Sequence, residues 1–231
     1  NEALTRYIKI AGTTALLTPD NIQHLFPMIS LTTDAAFTLF YNNQERVGEL
    51  FADIKVPFLV NDFLASIIME EVINDKIYDE NIITFDLETV AKQLKNDFPK
   101  VDVSKYLLQG ETQYYYGKMN WMKMKETVEK MLSVNDEALT ANMLNDLAWA
   151  IFAYSDDKIC LQAALTWSTK SLEMEKLAVH YNTYANLLHK IGDTKNAIPW
   201  EEKALKMASD AEKVDFQDFL AKMKAGTPTW N

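Results

Sequence analysis

Three histidines, His24, His180 and His189, are the side chains in this sequence best suited to proton transfer or metal binding. His180 and His189 are nine residues apart on one predicted helix. At about 100° per residue, this spacing turns them to opposite faces, so the two rings cannot ligate one metal ion. His24 has no second histidine at a metal-binding spacing. The histidines therefore favour no metal site.

Neighbouring carboxylates could act as a general acid and a general base, and they occur at residues 70–71, 156–157 and 201–202. Adjacent residues on a helix point about 100° apart, so no pair converges on one substrate, and we interpret all three pairs as solvated faces. The sequence has no nucleophile elbow, phosphate-binding glycine loop or dinucleotide fingerprint. We therefore predict that the protein is not an enzyme and binds no cofactor. A site assembled from scattered residues is the alternative that remains.

The single cysteine, Cys160, excludes an internal disulfide, a Cys-x-x-Cys pair and a thiolate-rich zinc site within this sequence. It lies between Ile159 and Leu161. This apolar setting predicts a small buried hydrophobic residue and not a reactive thiol.

Two predicted helices carry a row of hydrogen-bonding side chains, which we call the asparagine row. It consists of Asn142, Asn145, Trp149, Asn182, Asn186 and His189. Asparagine both donates to and accepts from a peptide group, so such a row can hold an extended backbone. We expect Asn145, Asn182 and Asn186 to face one another across adjacent helices and to point into solvent. The alternative is that they are ordinary exposed residues, and amide chemistry does not separate the two.

The sequence pattern that predicts these helices repeats along the chain. Residues 164–174 are echoed by residues 197–207, and the tryptophans at 167 and 200 give an offset of 33. A second helical pattern precedes each echo, at residues 145–152 and 182–188. Each unit is therefore predicted to be a helix, a turn and a helix. Gly192 is expected to end one helix with a positive φ.

This pattern resembles the tetratricopeptide repeat, whose period is about 34 residues. The positions that match are Tyr181, Ala185, Gly192, Ala197 and Ala204, whereas Ser209 replaces the closing proline. The resemblance implies a right-handed stack of helix pairs whose first helices line a concave, peptide-binding surface. The residues of the asparagine row would then lie on that surface.

The repeat pattern varies along the chain. Ala148 and Ala164 are 16 residues apart, against 12 for Ala185 and Ala197, so we expect a bulging turn near residues 154–158. A weaker unit is predicted upstream at residues 113–132. A closing helix is predicted near residues 215–220, and Trp230 should either fold back or be exposed.

Short phrases at residues 120–121, 147–149, 183–188 and 197–205 resemble, more narrowly, a helical region of certain exported bacterial proteins. In that Bacteroidetes-type family the helical region follows a thioredoxin-like domain. The resemblance implies an exported, periplasmic or similar location. It also implies that the thioredoxin-like part is left off this chain, and no residue here inherits its redox activity. Because the sequence starts at Asn1, we expect a processed chain or a piece of a longer one.

Helices are also predicted in the first 100 residues, at residues 21–26, 34–51, 57–77 and 87–98. Asp86 should cap the last of them, and Pro99 should stop it.

The formal net charge of −10, with no basic stripe, excludes nucleic acid as a partner. No apolar run reaches the roughly 18 residues that a membrane span needs. We predict an all-α chain with an N-terminal helical segment (residues 1–100) and a repeat region (residues 101–231) that binds a protein or peptide. The rival hypothesis is a scaffold or dimerisation region of a thioredoxin-like thiol-disulfide oxidoreductase. The partner's identity and the oligomeric state do not follow from the sequence.

Overall fold

The computed structural model describes residues 2–53, 60–79, 81–82, 84–134 and 139–230. Across these residues the regular secondary structure is helical and no strand occurs, which confirms the all-α prediction. The chain divides into two compact units, Asn1–Met119 (unit 1) and Asn120–Asn231 (unit 2). Residue 100, the boundary suggested by the sequence pattern, lies within unit 1.

The helices of unit 1 are α1 (Glu2–Ala11), α2 (Thr13–Leu16), α3 (Pro19–Leu25), α4 (Ala35–Asn42), α5 (Gln44–Asp53), α6 (Val60–Tyr78), α7 (Leu87–Asp97) and α8 (Leu107–Gly117). Phenylalanine rings fill the space between the earlier helices. Phe26 packs on Phe51 and Phe63 with ring centroids 5.8 and 4.7 Å apart, and Phe40 contacts the same two rings. Aromatic burial therefore supplies much of this core.

The prediction of one helix over residues 34–51 is wrong, because the chain breaks at Asn43 between α4 and α5. The side-chain amide of Asn43 donates to the carbonyl of Leu39, 2.7 Å away, and its φ of −130° is not helical. Asparagine commonly competes in this way with the backbone hydrogen bonds of a helix. The apolar residues on either side are nevertheless buried as a shared face requires, including Phe37, Phe40 and Leu50.

The start of α7 is confirmed, since the carboxylate of Asp86 accepts a hydrogen bond from the backbone N–H of Thr89 at 3.1 Å. The predicted helix at residues 57–77 corresponds to α6, and residues 57–59 lie outside the described part. α6 and α8 pack closely where α8 carries Gly110 and Gly117. A Cβ at Gly117 would come within 2.9 Å of three side-chain carbons of Ile77, so this approach requires glycine.

Unit 2 contains α9 (Trp121–Ser133), α10 (Ala141–Tyr154), α11 (Lys158–Met174), α12 (Ala178–Lys190), α13 (Thr194–Met207) and α14 (Lys213–Ala225). From α10 onward each helix packs against the next, and α12 also contacts both α10 and α14. The alanines of the sequence pattern are fully buried, namely Ala148, Ala164, Ala185, Ala197 and Ala204. Small side chains let these helices approach closely.

The turn after α12 forms as predicted, because Gly192 has a φ of +94°. The N–H of Asp193 donates to the carbonyl of Leu188 and that of Gly192 donates to His189, which is the Schellman hydrogen-bond pattern. The bulge expected near residues 154–158 is wrong, because only residues 155–157 separate α10 from α11. The extra residues between Ala148 and Ala164 lengthen these two helices instead of enlarging the turn.

Candidate functional site

The six residues of the asparagine row lie on α10 and α12, two helices that pack against each other. α10 contributes Asn142, Asn145 and Trp149, and α12 contributes Asn182, Asn186 and His189. The helix α12 is surrounded by α10, α11, α13 and α14. Few of its side chains can reach solvent in consequence, whatever their polarity.

The expectation that Asn145, Asn182 and Asn186 point into solvent is wrong. Asn182 is 4% exposed and Asn186 is fully buried. The amide of Asn182 donates to Oε1 of Glu201 on α13 at 2.9 Å, and the amide of Asn186 donates to the carbonyl of Asn182 at 3.0 Å. Both side chains therefore work inside the helix seam, because a helix enclosed by four others has no free face for them.

Glu201 is the acidic member of this seam and was misinterpreted from the sequence as part of a solvated pair. It is fully buried, and burial raises its pKa from 4.5 to about 7 although the hydrogen bond from Asn182 opposes the shift. Its neighbour Glu202 lies on the surface as expected and pairs with Lys224 at 2.8 Å. The burial of Glu201 could have been predicted from its spacing, since Glu201 falls on the same helix face as Ala197 and Ala204.

The asparagines of α10 are placed differently from each other. Asn142 is exposed, and its Oδ1 lies 3.0 Å from Nε2 of the buried His180, so this pair links α10 to α12. Asn145 is buried, and its amide donates to the carboxylate of Asp146 at 3.4 Å. Asn142 is therefore the one member of the asparagine row with an exposed side chain.

His189 and Trp149 lie under the C-terminal part of the chain. His189 is 6% exposed, and its Nε2 is 2.8 Å from the carbonyl oxygen of Thr227. A carbonyl oxygen only accepts, so Nε2 donates, and the tautomer with its proton on Nε2 lets Nδ1 accept from the hydroxyl of Thr194 at 2.8 Å. Trp149 packs against Phe219 of α14, with ring centroids 6.1 Å apart. Segments after α13 thus cover both residues.

Residues 227–230, which we call the C-terminal tail, follow the helix α14 without helical structure of their own. Gly226, with a φ of +68°, ends α14 and redirects the chain. The ring of Trp230 meets Phe152 and His189, with centroids 6.3 and 5.5 Å away. Trp230 therefore folds back onto unit 2.

Lys190 joins the tail to the end of α10. Its ammonium group donates to the carbonyl of Phe152 at 2.8 Å and pairs with Asp156 at 3.0 Å. The same group lies 5.4 Å from the ring centroid of Trp230, a cation–π distance. Phe152, His189 and Lys190 together hold the tail, and we call these three residues the tail-binding surface. Only His189 was predicted from the sequence, because these contacts join residues that are 38 to 78 positions apart in the chain.

Two of the open clefts formed by the described residues lie within unit 2. One, of about 410 Å³, adjoins the tail and is lined by Leu161, Lys190, Ile191 and Trp230 among others. The other, of about 460 Å³, lies between α11 and α13, where Tyr181 and Tyr184 of α12 and Trp200 of α13 form aromatic walls. A third cleft, of about 340 Å³, lies in unit 1 between α6 and the start of α8. None of these clefts brings together a recognisable nucleophile and base.

Cys160 is buried as predicted, and burial raises the pKa of its thiol to about 11, so it is not a reactive thiolate. Among the described residues, no three His, Cys, Asp or Glu side chains are grouped to hold a metal ion. The same part of the chain contains no helix with the length and apolarity of a membrane span.

Comparisons with protein-family models, with curated protein sequences and with solved structures give no significant match to this chain.

Proposed function

We propose that unit 2 is a non-catalytic module that binds peptides, built as a short tetratricopeptide-like stack of helix pairs. The 33-residue offset between Trp167 and Trp200 supports the repeat. So do the three-residue turns within the two pairs α10–α11 and α12–α13. The buried alanines at equivalent seams are consistent with the same packing.

The observation that carries the binding proposal is the way in which unit 2 holds its own tail. A side-chain donor, Nε2 of His189, engages the backbone carbonyl of Thr227, and Phe152 with Lys190 receives an aromatic side chain. A main-chain hydrogen bond combined with a pocket for one side chain is how many domains recognise extended peptides. The site proposed from the sequence therefore shifts from the asparagine row to the tail-binding surface.

The experiment uses the full chain and a labelled peptide with the sequence of residues 222–231. In the Trp230→Ala variant the tail loses its aromatic anchor, so the peptide should bind in trans and saturate, as measured by fluorescence anisotropy. The parent should bind the peptide more weakly, because its own tail is tethered at a high effective concentration.

A peptide whose tryptophan is replaced by alanine is the matched control and should not bind. Equal binding of both peptides, or no saturable binding to the Trp230→Ala variant, would contradict the proposal. The second outcome would favour the scaffold role, in which the tail is only a cap on the last helix.

A further inference from the structure

The cleft between α11 and α13 shares no residue with the tail-binding surface and has a different chemistry. Its aromatic walls are formed by Tyr181, Tyr184 and Trp200. Trp200 stacks on Tyr181 with centroids 5.6 Å apart and meets Tyr184 edge-on at 5.1 Å. These contacts fix the three rings relative to one another and create a rigid wall beside open space.

Several hydrogen-bond donors that line the cleft have no hydrogen-bond partner among the described residues. Tyr181 is only 2% exposed, yet within the described residues its hydroxyl makes no hydrogen bond. The hydroxyl of Tyr184 and the indole N–H of Trp200 are likewise unpaired in that part of the chain. None of these three polar atoms is enclosed by protein, so each can be reached from the open cleft. They are therefore available to a ligand that carries hydrogen-bond acceptors.

Charge identifies the ligand more closely. Lys176 and Lys203 line the cleft, and neither forms an ion pair with any described residue. By contrast, most of the lysines that do form ion pairs in the described chain pair with a carboxylate three or four residues away. The ammonium of Lys203 lies 4.2 Å from the ring centroid of Tyr181 and 5.5 Å from that of Trp200. Cation–π contacts therefore hold this charge against the wall of the cleft. Glu173 is the single opposing charge in the lining.

We infer that this cleft is a second binding site of unit 2, which accepts an acidic peptide segment carrying a carboxylate next to an apolar side chain. The carboxylate would take hydrogen bonds from Lys203 and Lys176. The adjacent aliphatic or aromatic side chain would cover Tyr184 and Trp200, which are only partly buried. An inorganic anion would leave that aromatic wall in water, so the apolar part of the ligand matters as much as its charge.

The test uses the full chain and a rhodamine-labelled peptide in which Asp and Glu alternate with Phe and Leu. A neutral peptide with Asn and Gln in place of the acids is its pair. We expect the acidic peptide to bind more tightly by fluorescence anisotropy. In ¹H–¹⁵N spectra it should shift the indole N–H signal of Trp200, which is assigned by its loss in Trp200→Phe.

Substitutions then test the sign of the charge effect. Lys203→Gln should weaken binding by about three- to tenfold, as expected for losing one partly screened ionic contact. Glu173→Gln should strengthen binding, because it removes the only repulsive charge in the lining. Lys170→Gln removes an exposed positive charge from α11 outside the cleft and should change the affinity little.

The inference is overturned if the neutral peptide binds as tightly as the acidic one. It is also overturned if Lys170→Gln weakens binding as much as Lys203→Gln, because the effect would then be general electrostatics. Full competition by acetate at the concentration of the peptide would show a simple anion site and would exclude the peptide assignment. None of these results depends on the tail-binding surface, so the proposed function is tested separately.

Discussion

The helices α6 in unit 1 and α12 in unit 2 are both extensively buried, but they bury different chemistry. The buried residues of α6 are all apolar, from Val60 through Leu64 and Ile68 to Ile73. Those of α12 include His180, Asn182, Thr183, Asn186 and His189. An apolar interior gains stability from excluded surface, whereas a polar interior depends on finding a partner for each donor and acceptor.

The polar interior of unit 2 is only partly satisfied. Oδ1 of Asn186 and Oε2 of Glu201 are buried acceptors without a hydrogen-bond partner in the described protein. A protonated Glu201 would turn one acceptor into a donor, which agrees with the direction of its pKa shift. We therefore expect the stability of unit 1 to depend mainly on buried apolar volume, and the stability of unit 2 to depend also on pH.

The largest expected effect is in the apolar helix. Leu64 is fully buried in α6, so Leu64→Ala should reduce the free energy of unfolding by about 2–5 kcal/mol through lost apolar contact and a residual cavity. The measurement is hydrogen exchange of the amides of unit 1 under native conditions. Glu70→Ala, at an exposed position of the same helix, is the control and should change protection little. A cost for Leu64→Ala below that of the control would show that this core is loosely packed.

A somewhat smaller effect should depend on pH and belong to α13. The pKa of Glu201 is raised from 4.5 to about 7, so the folded state holds a proton that the unfolded state releases. The contribution of Glu201 to the free energy of unfolding is therefore largest below pH 4.5. It decreases as the pH rises towards 7 and is constant above that. Glu201→Gln should therefore gain roughly 3 kcal/mol relative to the parent across this range, measured by chemical unfolding at several pH values.

Glu202→Gln provides the control for that pH dependence. The hydrogen bond from Lys224 lowers the pKa of Glu202, so its contribution is present at neutral pH and is lost as the pH falls. The two variants should thus differ in the sign of their pH dependence. Parallel curves for Glu201→Gln and the parent would show that Glu201 is ionised in the folded protein.

The smallest expected changes in stability come from replacing one glycine in each unit by alanine. Gly192 has a φ of +94° with open space around it, so Gly192→Ala should cost about 1 kcal/mol through backbone strain alone. Gly48 lies within α5, and a Cβ there would make an ordinary contact with Val60 at 3.7 Å. Gly48→Ala should instead stabilise unit 1 by about 0.5–1 kcal/mol. Denaturation midpoints that shift in the same direction for both variants would contradict this contrast.

Local features of the fold could be predicted because their causes are local. Asp86 caps α7 and Gly192 ends α12 through hydrogen bonds that span only a few residues, so the residue type and its position suffice. The break at Asn43 was missed for the opposite reason. Its apolar neighbours continue one helical face across the break, and the periodicity therefore outweighed the backbone preference of one residue.

Helical periodicity, capping residues and small side chains were enough to predict that this chain is helical, where several of its helices begin and end, and which alanines lie at their seams. Packing between distant segments instead buries Asn182 and Asn186, brings Glu201 to them, and returns Trp230 to Phe152 and His189. These contacts could not be predicted because the exposure of a helix face depends on how many other helices surround it. That number is set by packing between segments far apart in the chain, and helical periodicity does not encode it.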